Sequence, residues 1–455
     1  MGRKHGVGWT LVLSGLMALP VFTARAEEKP AVSFKFGASE RLRNEFYNNI
    51  TDMNQDKDDR TDYYRIRTSV WGQVQAMQVA TLYAKLTNEY RLYTDDPKSR
   101  AFTYDEIVFD NLYLKLESRN KALGLTLGRQ NLIYGEGFIL MEGAPWDGSR
   151  TIYHDAVKLS VTVRKTTLDL LGIDNTKIDT RLKPVIRGSK LKNGELKGQP
   201  KDQMMNDGVE KAFGFYLTTA ALPKAKIDAY FIRKIEEPSP WNNLGASQEE
   251  LRLTTYGARI QYAFTNRVTI TTEWAVQSGN QGAIYHGAYG GYGTLSYILF
   301  PKKKATLSAG MIALAGDDPT TRYRNEGWNP LFSRWPKWSE LYIYSYLAES
   351  VRNSVRVAYW TNLLSPNVSF TMTITKKISL IANAFILRSL EERVIPAGGT
   401  GSGLNRGQEV QCWVKFNFNK YLTGHLLYDR LFPGDFYPEP RSAGSFIRGE
   451  LMVTI

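Results

Sequence analysis

Residues 63–76 decide the fold class and read YYRIRTSVWGQVQA. Successive residues alternate between an apolar face, which carries Ile66 and Val70, and a polar face, which carries Arg65 and Arg67. Because the side chains of a β-strand point alternately to its two sides, a period of two predicts a strand with one apolar and one polar face. The two faces of this strand therefore meet different surroundings.

The same alternation recurs along most of the chain, and helical periodicity is sustained nowhere. Further copies occupy residues 80–89, 256–264, 268–276, 368–375, 410–418 and 450–455. Tyr, Phe and Trp make up 12% of the residues, which suits β-strands and the aromatic girdles of membrane barrels. After the N-terminus the sequence has no apolar run of about 18 residues, so a bundle of membrane helices is excluded. The sequence predicts an all-β protein.

Connections between the predicted strands are alternately short and long. Short joins occur at residues 77–78, 119–121, 222–224, 265–266, 301–303, 376–377 and 419–420. Long polar segments occur at residues 47–60, 94–103, 132–151, 175–210, 236–252, 279–290, 389–407 and 432–444. Outer-membrane barrels have short periplasmic turns and long extracellular loops, whereas the two ends of a soluble sandwich or propeller need not differ. We therefore predict a single antiparallel transmembrane β-barrel.

The number of strands depends on one segment. We count 13 strands between Ala31 and Ala315 and five between Pro366 and Ile455. Residues 316–365 form either one external loop or a loop with two further strands, so the total is 18 or 20, within a range of 16–20. Both totals keep the even parity of bacterial barrels. We predict 18 strands.

Two local assignments accompany the barrel. The last strand is expected to close on Val32, Phe34 and Phe36 of the first strand, which would leave no unpaired edge. Residues 287–293 read GAYGGYG and lack the residue order of a phosphate-binding motif. We assign this glycine-rich stretch to an external loop.

The first 26 residues have the pattern of a secretory signal peptide. A basic start is followed by an apolar run at residues 7–22 and by the cleavage pattern Ala24-Arg25-Ala26. Residues 27–455 would then form the barrel in the bacterial outer membrane. Removing residues 1–26 leaves 55 basic and 45 acidic residues, a net charge of +10. This surplus favours anionic partners.

The polar face of the strands has to line water and is rich in cations. Guanidinium groups attract anions and can bind a carboxylate through two parallel hydrogen bonds. We predict a water-filled lumen with surplus positive charge, and the alternative is that these charges form ion pairs that only fill the barrel. Aromatic residues on the same face that could stack on sugar rings are Tyr63, Trp71, Tyr83 and Trp413. The predicted pore-lining and substrate-binding residues are Lys35, Arg43, Arg65, Arg67, Lys85, Arg91, Lys115, Arg259 and Lys415.

Catalytic and metal-binding motifs are not evident, so we expect neither an enzyme nor a cofactor nor a metal. Cys412 is the single cysteine, and the sequence contains neither HExxH nor GxSxG. Residues 52–58 have the spacing of a calcium loop, but Lys57 replaces its glycine and Tyr63 its final glutamate, which favours a solvated loop. Residues 177–202 hold eight basic residues against three acids, and this charged loop could meet lipopolysaccharide phosphates or an acidic polymer.

Several short motifs resemble the alginate-export family of outer-membrane porins. In chain order they are Leu127-Gly128-Arg129-Gln130-Asn131, Tyr134-Gly135-Glu136-Gly137, Trp146, Ser149-Arg150 and Asp155-Ala156-Val157-Lys158-Leu159. Later pieces of the chain agree with the family as well. Asn329-Pro330-Leu331-Phe332 is similar to one of its external loops, and Gly407-Gln408-Glu409 with Leu431-Phe432-Pro433-Gly434 is similar to its C-terminal strand pair.

The resemblance implies an 18-stranded monomeric barrel whose electropositive constriction passes an acidic polysaccharide outward. By motif it adds Arg129 and Arg150 to the candidate substrate-binding residues. Strict alternation after Leu127 would point Arg129 at lipid, so we expect a bulge or a rim position there.

Three functions remain open at this point. The first is passive passage of an anionic polysaccharide or oligosaccharide, the second is a general porin for small anions, and the third is a barrel-anchored surface protein whose basic loop binds polyanions. A wide lumen would favour the general porin, and a lumen plugged by loops would favour the surface role. Expected partners are the lipid bilayer and lipopolysaccharide, an anionic saccharide or polymer, and periplasmic export machinery, without nucleic acid.

Overall fold

The computed structural model describes residues 31–50, 53–97, 100–104, 107–142, 154–176, 179–186, 189–192, 195–197, 209–238, 249–333, 361–392 and 403–455. Across these ranges the chain forms 18 long antiparallel strands that close into one barrel, as the alternation predicted. Such closure pairs the backbone groups of every strand on both sides, which the lipid interior requires. The predicted signal peptide lies outside the described residues.

The barrel strands are numbered here in chain order. The first nine are β1 (Val32–Asn48), β2 (Thr61–Ala76), β3 (Ala80–Asp95), β4 (Val108–Glu117), β5 (Leu123–Gln130), β6 (His154–Val163), β7 (Thr166–Asn175), β8 (Glu210–Thr219) and β9 (Ala225–Glu236). The other nine are β10 (Leu251–Ala263), β11 (Val268–Gln281), β12 (Ile284–Phe300), β13 (Ala305–Leu314), β14 (Leu363–Thr375), β15 (Ile378–Arg388), β16 (Asn405–Asn417), β17 (Leu422–Pro433) and β18 (Gly444–Thr454).

Strands β13 and β14 settle the strand count. They pair with each other from Leu314 opposite Leu363 to Thr306 opposite Thr371. Because they are neighbours in the wall, the chain between them adds no strand to it, and the predicted total of 18 is confirmed. Residues 334–360 of this connection lie outside the described residues.

Strands β1 and β18 close the barrel. Their pairing covers Ser39 to Asn48 of β1. Val32, Phe34 and Phe36 precede this stretch and pair with β2, so the prediction that the last strand closes on them is wrong. β1 has 17 residues and β18 has 11, and the strands of a barrel are staggered, which places the contact in the second half of β1.

Apolar side chains cover the outer face of the wall. Val70 and Leu82 are 48% and 49% exposed, respectively, as expected for side chains that face lipid. Two charged residues on this face have local explanations. Glu40 accepts a hydrogen bond from the Thr68 hydroxyl at 2.6 Å, and Arg388 ends β15 at the extracellular rim.

The hairpin of β11 and β12 contradicts one sequence assignment. Its turn has only two residues, so residues 279–290 are not a long loop, and residues 287–293 lie inside β12. The glycines there serve packing. A Cβ atom on Gly290 would lie 2.5 Å from the ring of Trp328, so the strand needs glycine for this close approach.

Several short elements accompany the barrel. They are the strands Arg100–Tyr104, Leu132–Ile133, Met141–Glu142, Ser189–Lys192, Glu195–Lys197 and Arg324–Asn325, and the 3-10 turn Pro301–Lys303. Among the described residues, no helix has the length and apolar character to cross a membrane.

Candidate functional site: the barrel lumen

Two segments of the chain turn inward into the lumen. Residues 131–142 form a short two-stranded ribbon, and residues 326–333 lie against it. Leu140 and Phe332 form an isolated parallel β-bridge. The backbone N–H of Phe332 donates to the carbonyl oxygen of Ile139 at 3.2 Å. We call these stretches the first and the second inward segment.

Inward-facing residues of the wall hold the second inward segment. Gln277 of β11 donates to the carbonyl oxygen of Asn329 at 2.7 Å and accepts from its N–H at 2.9 Å. Lys234 of β9 is fully buried and donates to the carbonyl oxygen of Leu331 at 3.0 Å. Residues 329–332, predicted as an external loop, therefore lie inside the barrel.

An apolar core joins the two inward segments. Phe138 stacks on Trp328 with ring centroids 5.1 Å apart, and it meets the ring of Tyr292 edge-on at 5.7 Å. Leu132 and Leu140 are buried in the same cluster as inward-facing residues of the strands. Because both segments start from the extracellular ends of strands, this core narrows the extracellular half of the lumen.

The tip of the first inward segment is the motif Tyr134-Gly135-Glu136-Gly137. Gly135 has φ +57° and Gly137 has φ +85°, a left-handed conformation that favours glycine. A Cβ atom on Gly137 would also lie 2.5 Å from the sulfur of Met141. The two glycines of the motif thus allow the chain to reverse inside the barrel.

The tip is attached to the wall formed by β7, β9 and β10. The Tyr134 hydroxyl donates to Asp169 at 2.6 Å. Arg259, one of the predicted pore-lining residues, contacts the carboxylates of Asp228 and Glu136 at 3.3 Å each. On this side of the lumen the charges are therefore paired across the contact between wall and segment.

Between the inward segments and the short turns the lumen holds a cavity of about 890 Å³. Its lining includes Asn131 and Ile133 of the first inward segment. Nine cations and one carboxylate, that of Glu450, face it among the described residues. The nine cations are Arg41, Arg43, Arg67, Lys85, Lys304, Lys376, Lys377, Lys415 and Arg448. Charges of one sign in a walled cleft concentrate counter-ions, so this basic cavity attracts anions.

Arginines and glutamates of β1, β2, β3 and β18 form a buried network beside the basic cavity. Its described members are the six arginines Arg41, Arg43, Arg65, Arg67, Arg91 and Arg448 and the three glutamates Glu45, Glu89 and Glu450. Arg65 joins two of the glutamates, with its guanidinium 3.1 Å from Glu45 and 2.9 Å from Glu89. This arginine network keeps an excess of three positive charges on one wall of the lumen.

Asp110 departs from the alternation of β4 because of a β-bulge. The register of β3 and β4 shifts so that Lys85 faces Asn111 while Leu86 faces Phe109. Asp110 is the extra residue, and its carboxylate lies 2.6 Å from the Lys85 ammonium on the lumen side. The bulge thus turns a residue of the lipid-facing row inward.

Three aromatic rings form a row on the inner wall of β2, β3 and β4. Trp71 stacks on Tyr83 with centroids 5.9 Å apart, and Tyr83 stacks on Tyr113 at 5.1 Å. The three side chains are half-buried, and Lys85 lies directly opposite Trp71 in the register of β2 and β3. This aromatic row offers flat apolar surface next to a cation at the edge of the basic cavity.

The other predicted lumen residues lie on the inward face but do not form one cluster. Lys415 lines the basic cavity, with its ammonium 5.2 Å from the centre of the Trp413 ring. Lys35 and Lys115 lie near the periplasmic ends of β1 and β4. Arg43, Arg65, Arg67 and Arg91 belong to the arginine network.

Arg129 does not line the lumen, which corrects the assignment based on the family motif. Leu127 and Val157 face each other on the outer face and are 36% and 47% exposed, respectively. Arg129 lies two residues after Leu127 on β5, and Asp155 lies two residues before Val157 on β6, so both belong to the same outward-facing rows. The Arg129 guanidinium lies 2.9 Å from Asp155 and 2.7 Å from Asp179, and it is almost fully buried. Residues 179–186 cover it, so it lies at the outer rim.

The rest of the Gly128-Arg129-Gln130 motif is architectural as well. Gly128 has φ +117°, and a Cβ atom there would lie 2.5 Å from the Leu112 carbonyl oxygen. Gln130 turns inward and donates to the Ala156 carbonyl oxygen at 3.0 Å. The pairing of β5 and β6 is continuous through these residues, so the expected rim position is present and the alternative, a bulge, is not.

Sequence reasoning missed part of the basic cavity. Lys376 and Lys377 form one predicted short join and Lys304 follows another, so alternation along the strands does not identify them, although these turns border the lumen. Glu45 is on the polar face of β1 and could have been found from the alternation. Arg150 lies outside the described residues.

Solved structures of similar fold come from outer-membrane proteins. The outer membrane protein opdK of Pseudomonas aeruginosa matches with a TM-score of 0.54 and 11% identity, over 92% of this chain and 98% of that chain. OccK5 (OpdH) of the same organism has a TM-score of 0.54, 13% identity and coverages of 92% and 98%. OccAB4 of Acinetobacter baumannii has a TM-score of 0.54, 11% identity and the same coverages. At these identities the likeness shows the fold alone.

The closed wall and its lumen define a β-barrel with the fold of outer-membrane proteins. The family model described as alginate export matches residues 32–445. The chain belongs to the alginate export family. Among curated proteins the sequence has no match. In the described part of the chain, no group of three or more His, Cys, Asp or Glu side chains is placed to hold a metal ion.

Proposed function

We propose that this protein is an anion-selective outer-membrane channel that passes an acidic oligosaccharide or polysaccharide by diffusion. The observation that carries the proposal is the basic cavity, in which nine cations face one carboxylate. Selectivity in a channel follows the charge and width of its lining. Four of the nine cations belong to the arginine network, whose six arginines exceed its three glutamates; they are Arg41, Arg43, Arg67 and Arg448. The proposal includes a monomeric barrel that meets lipopolysaccharide outside and export machinery in the periplasm.

The aromatic row favours a saccharide over a small inorganic anion. Trp71, Tyr83 and Tyr113 present stacked faces in the lumen, and such faces pack on the apolar side of a sugar ring. A chloride or phosphate ion gains nothing from them. The two inward segments also leave less room than a wide general porin would need. A sugar acid would use both the cations and the rings.

A barrel-anchored surface protein is the second candidate. The apolar core of the inward segments fills part of the extracellular half of the lumen, which is the feature that favours this role. The basic cavity argues for the channel, because cations inside a barrel are out of reach of a surface ligand. Conductance distinguishes the two, since only the channel passes current.

Replacing Lys376, Lys377 and Lys415 together by glutamine is expected to lower the anion selectivity of the channel. All three line the basic cavity, so their loss removes a third of its nine cations. In planar bilayers under a potassium chloride gradient, the reversal potential of the unaltered channel should lie toward the chloride equilibrium potential. That of the triple variant should lie closer to zero.

The matched control removes three exposed cations of the extracellular end, Lys57, Arg60 and Arg322, also by glutamine. It should leave the reversal potential unchanged. Cation preference of the unaltered protein, or equal effects of the two triple variants, would rule out the basic cavity as the selectivity element. If the folded protein passes no current, the channel is ruled out and the barrel-anchored surface protein becomes the favoured function.

Replacing Trp71 and Tyr83 by alanine is expected to weaken channel block by oligogalacturonate roughly tenfold, because a lost aromatic contact costs about 0.5–1.5 kcal/mol. The variant Trp71→Phe/Tyr83→Phe keeps the rings. It should be blocked at almost the same oligogalacturonate concentration as the unaltered channel. The measurement is the half-blocking concentration at fixed ionic strength, with chloride selectivity recorded in the same membranes. Equal half-blocking concentrations for the alanine and phenylalanine variants would argue for a general small-anion porin.

A further inference from the structure

Cations crowd the end of the barrel that carries the short turns. Eight turns join the strands there, at residues 77–79, 118–122, 164–165, 220–224, 264–267, 301–304, 376–377 and 418–421, and all are described. They contain twelve Lys and Arg residues, each exposed, and not one Asp or Glu. We call these twelve cations the basic collar. Short turns mark the periplasmic end of an outer-membrane barrel, so the basic collar surrounds the periplasmic mouth.

Four residues of the basic collar have a left-handed backbone conformation. Lys121, Arg164, Lys224 and Lys304 have φ between +46° and +59°. Glycine or asparagine is the residue that this left-handed conformation favours, since a larger side chain is strained there. Met77 and Gln78, which are short-turn residues outside the basic collar, have the same conformation, so it is a property of the turns.

The basic collar is continuous with the basic cavity. Lys304, Lys376 and Lys377 belong to both, because they lie in turns and also face the cavity. An anion held at the collar is therefore already at the entrance of the lumen. Farther in, Arg41 and Arg67 line the same cavity and belong to the arginine network.

The opposite end of the barrel differs in charge. In the described extracellular connections, acidic residues outnumber basic ones, with Asp56, Asp58 and Asp59 in one connection and Asp317 and Asp318 in another. The connection between β7 and β8 is the exception, with five basic and two acidic residues among those described. The described part of the molecule thus carries a charge gradient along the axis of the barrel.

We propose that the basic collar is a capture site for a carboxylate-bearing polysaccharide on the periplasmic side, which feeds the chain into the basic cavity. This inference rests on the proposed function and adds the site at which the substrate is first bound. A flexible polyanion binds several exposed cations at once, and steering by a field of one sign raises association rates by about 10- to 1,000-fold at low salt. Anionic phospholipid headgroups are the competing occupant, but they lie around the barrel and do not account for the three lysines that face the cavity.

The test measures channel block from each side of the membrane. Polygalacturonate is added to one compartment and then to the other, in bilayers where a cysteine introduced as Asn266→Cys, with Cys412→Ser, reports orientation through an impermeant thiol reagent. The block rate is expected to be at least tenfold higher from the side of the short turns, and the ratio should fall at high ionic strength. The variant Arg267→Gln/Lys302→Gln/Lys303→Gln/Lys420→Gln, outside the basic cavity, should lower the rate from that side alone.

The outcomes separate the collar from the channel. Equal block from both sides, with chloride selectivity intact, would overturn the basic collar and leave the proposed function standing. Absence of both block and anion selectivity would overturn the proposed function itself. If the variant changes binding to vesicles containing phosphatidylglycerol but not block by the polymer, the collar binds lipid and the capture site is rejected. The triple variant of Lys57, Arg60 and Arg322 is the control for the opposite end.

Discussion

Replacing Arg65 by leucine is expected to destabilise the barrel by about 3–5 kcal/mol. The Arg65 guanidinium lies 3.1 Å from the Glu45 carboxylate and 2.9 Å from that of Glu89, and all three side chains are almost fully buried. Its removal takes one of three arginine partners from each carboxylate, because Glu45 keeps Arg43 and Arg448 and Glu89 keeps Arg41 and Arg67. Breaking a buried ion pair by removing one partner is strongly destabilising. The measurement is the free energy of unfolding in urea for protein folded into lipid vesicles.

The matched control is Arg60→Leu. Arg60 also makes a close ion pair, 2.6 Å from Asp95, but its side chain is 54% exposed. Exposed pairs contribute about 0–1 kcal/mol, so this variant should be nearly neutral. The double variant Arg65→Leu/Glu89→Leu should be less stable still, because Glu89 is also the carboxylate partner of Arg41 and Arg67. Equal costs of Arg65→Leu and Arg60→Leu would contradict a buried arginine network.

The stability role of Arg65 limits what the residue can reveal about transport. A variant that unfolds cannot report selectivity, whereas Lys376, Lys377 and Lys415 line the basic cavity and are more accessible to solvent. Alternation in the sequence identified Arg65 as a lumen residue. It gave no indication that Arg65 is packed between two glutamates, because that depends on the register of β1 with β2 and of β2 with β3.

The wall of the barrel could be predicted from the sequence because lipid imposes a simple rule. Side chains that face the membrane interior must be apolar, so the period of two at Val70 and in the other strands reports both strand and orientation. The number of strands followed from the same pattern together with turn lengths. The closure of β18 on residues 39–48 did not, since it depends on how far each strand is displaced along the axis.

The departures from alternation and the errors of the sequence analysis share a physical cause. Asp110, Arg129 and Gly290 each have a position that is set by a partner from elsewhere in the chain. A bulge turns Asp110 to Lys85, residues 179–186 cover Arg129, and the ring of Trp328 packs against Gly290. Periodicity describes one strand at a time and carries no information about such partners.

The inward segments are the main feature that the sequence did not disclose. Ser333 donates to the carbonyl oxygen of Gly137 although the two residues are 196 positions apart. A weak signal was present, because Phe138, Trp328 and Phe332 are large apolar residues in connections that should be solvated. Apolar residues in a long connection of a barrel indicate that the connection packs against something, and here it packs inside.

Replacing residues 132–141 by a glycine and serine chain of equal length is expected to raise the single-channel conductance several-fold. The exchange removes Leu132, Phe138 and Leu140 and leaves Trp328 of the second inward segment without its stacking partner. The narrowest section of a pore sets its resistance, so widening that section increases the current. The measurement is the unitary conductance in symmetric potassium chloride, on protein shown to be folded by its heat-dependent shift in gel mobility.

The control exchanges residues 319–323, which are mostly exposed, for glycine and serine and should leave the conductance unchanged. Phe138→Ala/Trp328→Ala offers a milder test and should give a smaller increase. An unaltered conductance in the folded variant would show that the constriction lies elsewhere. Anion selectivity should survive the exchange, because the cations of the basic cavity come from the strands and the turns. The inward segments would then limit the size of the substrate and the cavity would select its charge, so the two properties would respond to different substitutions.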